Sequence, residues 1–210
     1  MSRRSLALPL AAAVAFAVFS VLVAAGAFTG LDQWAIDHAM TGIHRAGTKP
    51  TPADALVPML HTNFGSALDV AAGLVTAPAS IVLSLLLTGA CCVALHRRAH
   101  EGAAKAWAAA WVAGNAVEEL CKSTLARPAL YRHGLHVVAF DSSYPSGHTI
   151  RSIVVAAAVA AAWPAARPWT AAWAVASLVL LEVDALHTPS DIAGGVLVSV
   201  LLVAAARRAS

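Results

Sequence analysis

The stretch LALPLAAAVAFAVFSVLVAAGAF, residues 6–28, decides the fold class, because it carries no charged side chain and follows Arg3 and Arg4. About 20 apolar residues in a helix cross the roughly 30 Å hydrocarbon core of a bilayer. The stretch is longer than the about 7–15 apolar residues of a usual signal peptide. We therefore predict an uncleaved first membrane span.

The composition extends this prediction to the whole chain. Of its 210 residues, 59% are hydrophobic and 12% are charged, whereas soluble domains carry about 25% charged residues. The mean hydropathy of +0.71 is typical of an integral membrane protein. The net charge is only +3 and the sequence has no basic run, so binding to nucleic acid is not expected.

Five further apolar runs follow the first, at about residues 67–95, 104–125, 148–163, 169–186 and 192–206. Pro78 interrupts the second run. Only residues 164–168 separate the fourth run from the fifth, which is typical of a helical hairpin. The pattern predicts an all-α bundle of six transmembrane helices that forms a single domain over residues 1–210.

The positive-inside rule predicts the orientation, with both termini in the cytoplasm. Eight of the 14 basic residues then fall at the inner ends of spans: Arg3, Arg4, Arg97, Arg98, Lys105, Arg167, Arg207 and Arg208. Four tryptophans fall at the same boundary, as in an aromatic belt: Trp107, Trp111, Trp163 and Trp169. The remaining basic residues fall on the outer side: Arg45, Lys49, Lys122, Arg127, Arg132 and Arg151. This number is high for an outer face and indicates an anion site there.

The long polar segment at residues 31–66 is expected to lie outside the membrane and to include an amphipathic piece at residues 31–43. Helical spacing puts four side chains of this piece on one face: Leu31, Trp34, Ala35 and His38. Two interpretations are open. The piece lies on the bilayer surface, or it covers the entry of a substrate as a lid.

Residues 145–148, Pro-Ser-Gly-His, stand where the fourth span begins. Ser146 and Gly147 would place a hydroxyl and free backbone N–H groups at a helix N-terminus, which favours an oxyanion or a phosphate. His148 could pass a proton to a group held there. An ordinary helix cap followed by an unrelated histidine is the alternative.

His187 and Asp191 lie between the fifth and sixth spans. Asp191 is predicted to cap the sixth span while its free oxygen holds one nitrogen of His187. The other nitrogen would then be a nucleophile. The alternative is a histidine that only satisfies a cap.

Cations complete the pattern at the outer ends of spans. Lys122 and Arg127 are candidate phosphate ligands, although Glu118 offers Lys122 an ordinary helical ion pair. Arg151 shares a face of the fourth span with His148, and it either binds phosphate or pairs with Glu118 or Glu119 across the bundle. Together these residues bring two histidines, a carboxylate, an anion cradle and cations to one membrane face. Transfer through a phosphohistidine requires such a set.

The pattern resembles the type 2 phosphatidic acid phosphatase family, six-span lipid phosphatases whose three motifs read KxxxxxxRP, PSGH and SRxxxxxHxxxD. PSGH is complete at residues 145–148, and HxxxD is complete at residues 187–191. The resemblance implies that His187 is the nucleophile, that His148 is the acid for the leaving oxygen and that Asp191 orients His187. It also implies four phosphate ligands: Lys122, Arg127, Ser146 and Gly147.

Two departures from these motifs are visible. Four rather than six residues separate Lys122 from Arg127, and Leu180 and Leu181 stand where the family has Ser-Arg. One phosphate-binding cation of the family is therefore missing. Arg151 is the first candidate to replace it.

We expect an enzyme of the cytoplasmic membrane that uses neither a metal nor a cofactor. Its site on the outer side would hydrolyse a phosphomonoester or pyrophosphate on a lipid. Polyprenyl pyrophosphate, phosphatidylglycerol phosphate and polyprenyl-phosphosugar are the candidate substrates. A lipid phosphotransferase of the same family and a phospholipid-binding protein with weakened catalysis are the alternatives.

Overall fold

The computed structural model describes residues 4–40 and 67–209, and this part of the chain is all-α, as predicted. It contains eight α-helices: α1 Arg4–Ala24, α2 Thr29–His38, α3 Ala67–Thr76, α4 Ile81–Arg97, α5 Glu101–Thr124, α6 Gly147–Ala162, α7 Arg167–Val183 and α8 Pro189–Ala209. A short antiparallel hairpin, in which Tyr131 pairs with His136, separates α5 from α6 along the chain. Arg45, Lys49 and most of the predicted outer segment lie outside the described residues.

Each predicted apolar run contains a helix. Among the described helices, α1 and α8 are long and apolar enough to cross a membrane. The pair of α3 and α4, bent by 49°, makes a third span if the two helices cross as one. Helix α6 is apolar but shorter. Residues 4–40 and 67–209 therefore contain two or three candidate spans by length and composition, and the number six stays a prediction.

The bend between α3 and α4 follows from Pro78, which lies in a 3-10 turn at Ala77–Ala79. Proline has no N–H group and clashes with the preceding helical turn, so the helix is interrupted there. At the interruption the Ala79 carbonyl accepts a hydrogen bond from Arg151 Nε at 2.6 Å. The break thus helps to position a charged side chain of α6.

The hydrophobic core lies where α4, α5, α6 and α8 meet. Trp107, Ile150, Val154 and Val198 are fully buried there. Trp107 therefore faces the interior of the bundle and not the lipid headgroups that an aromatic belt contacts, whereas its position at the membrane boundary stays a prediction. Small neighbours such as Ala158 leave room for the large indole ring inside the bundle.

The helix starts of α6 and α8 lie side by side because Gly195 has no side chain. A Cβ on Gly195 would fall 2.8 Å from the Ser146 carbonyl oxygen and 2.8 Å from Thr149 Cβ. The Ser146 N–H also donates to the Asp191 carbonyl at 3.0 Å. The two motif regions are thereby fixed against each other.

The bundle has two chemically different ends. At one end, Arg98 donates to the Ala162 carbonyl, and Gly102 lies against the Ala209 carbonyl. At the other end lie the end of α5 and the starts of α6 and α8. We call this second end the site end, because all three polar clusters predicted from the sequence lie there.

Helix α2 occupies the first part of the predicted amphipathic piece. Its buried face consists of Asp32, Ala35 and Ile36. Leu31 and Trp34 point outward and are more than half exposed. The predicted face is therefore wrong at Ala35, which packs inward beside a buried carboxylate.

Candidate active site

Two histidines from distant parts of the chain meet at the site end. His148 is the second residue of α6 and His187 precedes α8, and their ring centroids are 5.9 Å apart with 53° between the planes. His187 is only 7% exposed. Within the described part of the chain, His187 Nδ1 and the buried His148 Nε2 have no hydrogen-bond partner. Because buried polar atoms are nearly always paired, His148 Nε2 is available to a ligand, whereas His187 Nδ1 faces the carboxylate of Asp191.

The turn that carries His187 is hydrogen-bonded to the backbone of Leu181. The Leu181 carbonyl accepts hydrogen bonds from the N–H groups of Leu186 at 2.9 Å and His187 at 3.1 Å. Its side chain is completely buried, and Ala185 ends the preceding helix with a left-handed φ of 55°. The leucine that stands where the resembled family has an arginine therefore holds the turn of His187 through its backbone carbonyl.

The buried carboxylate of Asp191 accepts three hydrogen bonds. Arg127 Nη1 donates to Oδ1 at 2.7 Å, and Ser143 Oγ donates to Oδ2 at 2.6 Å. The Thr188 N–H donates to Oδ2 at 3.0 Å, which caps the start of α8. Asp191 is the third residue of α8, and its carboxylate accepts this hydrogen bond from the residue that precedes the helix. The sequence instead predicted Asp191 at the cap position itself.

The predicted pair of Asp191 and His187 is brought together but does not touch. His187 Nδ1 lies 3.7 Å from Asp191 Oδ2, which is longer than a hydrogen bond. A small movement of the imidazole ring toward α8 would close this distance. The arrangement therefore places a carboxylate beside one ring nitrogen and leaves the other face of the ring for a substrate.

Arg127 is held between two carboxylates. Its Nη1 lies 2.7 Å from Asp191 Oδ1, and its Nη2 lies 2.6 Å from Asp32 Oδ2. Asp32 also accepts hydrogen bonds from the Ser190 N–H at 2.9 Å and the Ser190 hydroxyl at 2.6 Å. Both amino groups of Arg127 thus bind protein carboxylates. The Nε of Arg127 is buried without a partner among the described residues, so it is the donor that remains for the phosphate role implied by the resemblance.

Glu118 is held between two cations. Its Oε1 lies 2.5 Å from Lys122 Nζ, and its Oε2 lies 2.5 Å from Arg151 Nη1. Arg151 Nη1 also donates to Asn115 Oδ1 at 2.9 Å. Of the two roles predicted for Arg151, the structure contains the pair with Glu118. The Lys122 side chain is 27% exposed, so this group of residues opens to solvent on the lysine side.

The Glu118 carboxylate lies directly over the first residue of α6. A Cβ on Gly147 would fall 1.9 Å from the carboxyl carbon and both oxygens of Glu118, so glycine alone leaves room. Ser146 is completely buried, and its Oγ accepts a hydrogen bond from the Thr149 N–H at 3.2 Å as the helix cap. An anion of the protein itself therefore lies beside the first residue of the helix at whose N-terminus the sequence predicted a phosphate.

Tyr144 contacts α1 through a hydrogen bond and a stacked ring, and so connects this helix to the site. Its hydroxyl lies 2.8 Å from Ser20 Oγ, and its ring stacks on Phe16 with 6.3 Å between centroids. Burial raises the pKa of Tyr144 to about 12. The side chain is therefore a neutral hydroxyl at physiological pH.

Sequence analysis missed three residues of this site: Asp32, Ser143 and Tyr144. For Asp32 a signal was present, because it shares a helical face with the apolar Ala35 and Ile36. An unpaired carboxylate is almost never fully buried, so this position predicts a cationic partner. Ser143 and Tyr144 carry no comparable signal in a single sequence.

Comparison of the chain with protein-family models, with curated proteins and with solved structures finds no match. Within residues 4–40 and 67–209, no group of three or more His, Cys, Asp or Glu side chains is arranged to hold a metal ion. The membership in the lipid phosphatase family therefore stays a prediction from the motif residues.

Proposed function

We propose that this protein is a membrane-bound phosphatase of the type 2 phosphatidic acid phosphatase kind. It would hydrolyse a phosphomonoester or pyrophosphate on a lipid such as a polyprenyl pyrophosphate, phosphatidylglycerol phosphate or a polyprenyl-phosphosugar. One observation carries the proposal. His148 and His187 lie with ring centroids 5.9 Å apart, and the buried Nε2 of His148 has no partner among the described residues.

The reaction proceeds in two steps. In the first, Nε2 of His187 attacks the phosphorus, a P–N bond forms and the bond from phosphorus to the leaving oxygen breaks. Protonated His148 gives its proton to that oxygen. In the second step His148 takes a proton from water, the water oxygen attacks the phosphorus and the P–N bond breaks. Inorganic phosphate leaves, and both histidines return to their starting states.

Asp191 supports the nucleophile in this proposal. Its Oδ2 lies 3.7 Å from His187 Nδ1, and closure of this distance would let it accept the Nδ1–H. A carboxylate in this position fixes the tautomer and stabilises the positive charge that develops on the ring. Asp191 is itself held in place by Ser143, Thr188 and Arg127.

We place the site end on the outer side of the cytoplasmic membrane, with six spans and both termini inside. The basic residues at the opposite end of the helices support this orientation, because the cytoplasmic side is rich in Lys and Arg. They include five residues at helix ends: Arg97, Arg98, Lys105, Arg207 and Arg208. A lipid phosphate of the outer leaflet would then lie on the same side of the membrane as the two histidines.

A phospholipid-binding protein with weakened catalysis is the second candidate. It is favoured by the pairing of the three site cations, because Lys122 and Arg151 bind Glu118 while Arg127 binds Asp32 and Asp191. A phosphotransferase would share the phosphohistidine step and pass the phosphoryl group to a lipid acceptor in place of water. The assay below separates these candidates.

The deciding experiment measures phosphate release by the purified protein in detergent from a panel of lipid phosphates, with and without a chelator. We expect release that persists in chelator and is abolished in His187→Ala, because no other group would carry the phosphoryl. His96→Ala is the matched control, since His96 is exposed at the opposite end of the bundle. A labelled phosphoryl group that is acid-labile and alkali-stable should form on the wild type and be absent from His187→Ala.

Retention of turnover in His187→Ala would exclude the phosphohistidine. No release by the wild type from any lipid phosphate would favour the binding protein. For a phosphotransferase, addition of an acceptor lipid should lower the amount of free phosphate released and should yield a phosphorylated acceptor.

A further inference from the structure

We propose that Asp32 is a positioning residue, because it holds one amino group of Arg127 away from Asp191 and so leaves the Asp191 carboxylate free to accept the Nδ1–H of His187. Asp32 lies in α2 and belongs to none of the three motifs. The arrangement of these hydrogen bonds does not depend on the proposed function, whereas its effect on turnover rests on that function.

The Asp191 carboxylate has one acceptor position to spare. Its two oxygens offer about four lone-pair positions. Among the described residues three of these are filled, by Arg127 Nη1 at 2.7 Å, by Ser143 Oγ at 2.6 Å and by the Thr188 N–H at 3.0 Å. His187 Nδ1 lies 3.7 Å from Oδ2 and has no partner in the described part of the chain, so it is the candidate for the fourth. His187 can close this distance only while no other donor takes the position.

Arg127 is the donor that would compete for this position. A guanidinium binds a carboxylate most strongly through two parallel N–H bonds. Arg127 instead gives Asp191 one amino group, because the other, Nη2, donates to Asp32 Oδ2 at 2.6 Å. The Arg127 side chain is buried, so an amino group that loses its acceptor has little water to turn to. Without the charge of Asp32, Nη2 would turn to Asp191 and fill the fourth position.

Asp32 is itself fixed to the start of α8. Its carboxylate accepts the Ser190 N–H at 2.9 Å and the Ser190 hydroxyl at 2.6 Å. Ser190 and Asp191 are the second and third residues of α8, so both carboxylates are anchored at the same helix start. On the buried face of α2, Ile36 belongs to a small core that also contains Phe140. Asp32 therefore does not follow Arg127 toward Asp191, and the guanidinium stays divided between the two carboxylates.

The tautomer of His187 reports whether the fourth position is free. When Asp191 accepts the Nδ1–H, the neutral ring carries its lone pair on Nε2. When Nδ1 has no acceptor, a neutral imidazole prefers to carry its proton on Nε2. That nitrogen then has no lone pair with which to attack phosphorus. Asp32 thus acts on His187 through Arg127 and Asp191.

The test reads this tautomer by nitrogen-15 NMR of the purified protein in detergent, with histidine alone labelled. Spectra are recorded at the alkaline end of the His187 titration, where the ring is neutral, and His187→Ala assigns the signals. We expect the wild type to be mainly the Nδ1–H tautomer. In Asp32→Asn the ratio of Nδ1–H to Nε2–H should fall at least about tenfold, the size of one charge-assisted hydrogen bond. In the phosphate-release assay kcat should fall with that ratio.

Asp37→Asn is the matched control, because it makes the same charge change on α2 at an exposed residue, whose Oδ1 lies 3.1 Å from Gln33 Nε2. Its ratio should equal that of the wild type. Asp32→Ser is the second variant in case Asp32→Asn does not fold, since it removes the charge without placing an amide against Arg127. Asp32→Asn combined with Arg127→Lys should return to within about threefold of the wild-type ratio. Lysine lacks the planar fork that binds both oxygens of a carboxylate.

An unchanged ratio in a folded Asp32 variant would overturn the inference, as would a wild type that is mainly the Nε2–H tautomer. An equal fall in the combined variant would show that Asp32 acts by docking α2 and not through Arg127, and it would overturn the inference as well. The two proposals can fail separately. A protein that hydrolyses no lipid phosphate but shows the expected change in ratio would keep the role of Asp32 and lose the phosphatase. A protein that hydrolyses lipid phosphates with an unchanged ratio would do the reverse.

Discussion

The site end contains two groups of charges that mirror each other. In the first, which we call the Arg127 cluster, one cation is shared by Asp32 and Asp191. In the second, the Glu118 cluster, one carboxylate is shared by Lys122 and Arg151. The formal charges sum to −1 in the first and +1 in the second.

The opposite signs fit the two tasks that the proposed phosphoryl transfer would require. The Arg127 cluster borders His187, whose Nδ1 lies 3.7 Å from Asp191, and a negative group there would stabilise positive charge on the proposed nucleophile. The Glu118 cluster borders Gly147 at a helix N-terminus, where the proposed phosphate would bind. The two clusters also differ in access, since the Arg127 side chain is 5% exposed and that of Lys122 is 27% exposed.

We expect the largest effect from Arg127→Gln, which removes the only cation of the Arg127 cluster. The change leaves Asp32 and Asp191 buried without their shared cation, and removal of one partner from a buried ion pair costs about 3–5 kcal/mol. We expect the largest fall in the free energy of unfolding of all the variants, measured as the thermal unfolding midpoint in detergent.

Arg132→Gln is the control for this prediction. Arg132 Nη1 donates to the carbonyls of Ile36 at 2.6 Å and Met40 at 2.8 Å, and the described residues give it no carboxylate partner. Its loss should be smaller, near the about 1 kcal/mol of an ordinary hydrogen bond. Asp32→Asn in the Arg127→Gln background should restore part of the midpoint. Equal losses in the two arginine variants would show that the buried carboxylates do not depend on Arg127.

Arg151→Gln tests the second cluster and should cost less. Glu118 keeps Lys122, which is partly exposed, and glutamine can still donate to Ala79 or Asn115. We expect a loss of about 1–3 kcal/mol in the free energy of unfolding. Glu118→Gln in the same background should recover part of it, because it removes the carboxylate that has lost one cation. A loss as large as that of Arg127→Gln would show that Lys122 does not compensate.

Much of the fold could be predicted from the sequence, because apolar runs and proline positions act locally. The run at residues 67–95 with Pro78 inside it became two helices with a bend at that proline. The burial of Trp107 was not predicted, since a sequence does not tell whether an aromatic residue near a span end faces lipid or a gap between alanine-rich helices.

The site residues that belong to one short motif could be predicted from the sequence. Ion-pair partners that are distant in sequence could not. Ser146 and Asp191 could be recognised as helix-start residues from their own segments. The partners of Arg127 lie 95 and 64 residues away, and nothing in one sequence pairs them. Charge balance in a buried site was the usable constraint, because a charged side chain is almost never fully buried without a partner.

The smallest expected effect is that of Ser146→Ala. Ser146 lies between the Arg127 cluster and the Glu118 cluster. The Ser146 N–H donates to the Asp191 carbonyl beside the Arg127 cluster, and its Oγ caps the helix that begins at the Glu118 cluster. Alanine keeps the N–H and loses only the cap, so the free energy of unfolding should fall by about 1 kcal/mol. Because the hydroxyl is completely buried, the affinity for methyl phosphate in isothermal titration should stay within about twofold of the wild type.

Ser146→Thr keeps the cap and serves as the control for both measurements. A tenfold weaker affinity in Ser146→Ala at unchanged stability would mean that the hydroxyl binds phosphate, as the sequence predicted.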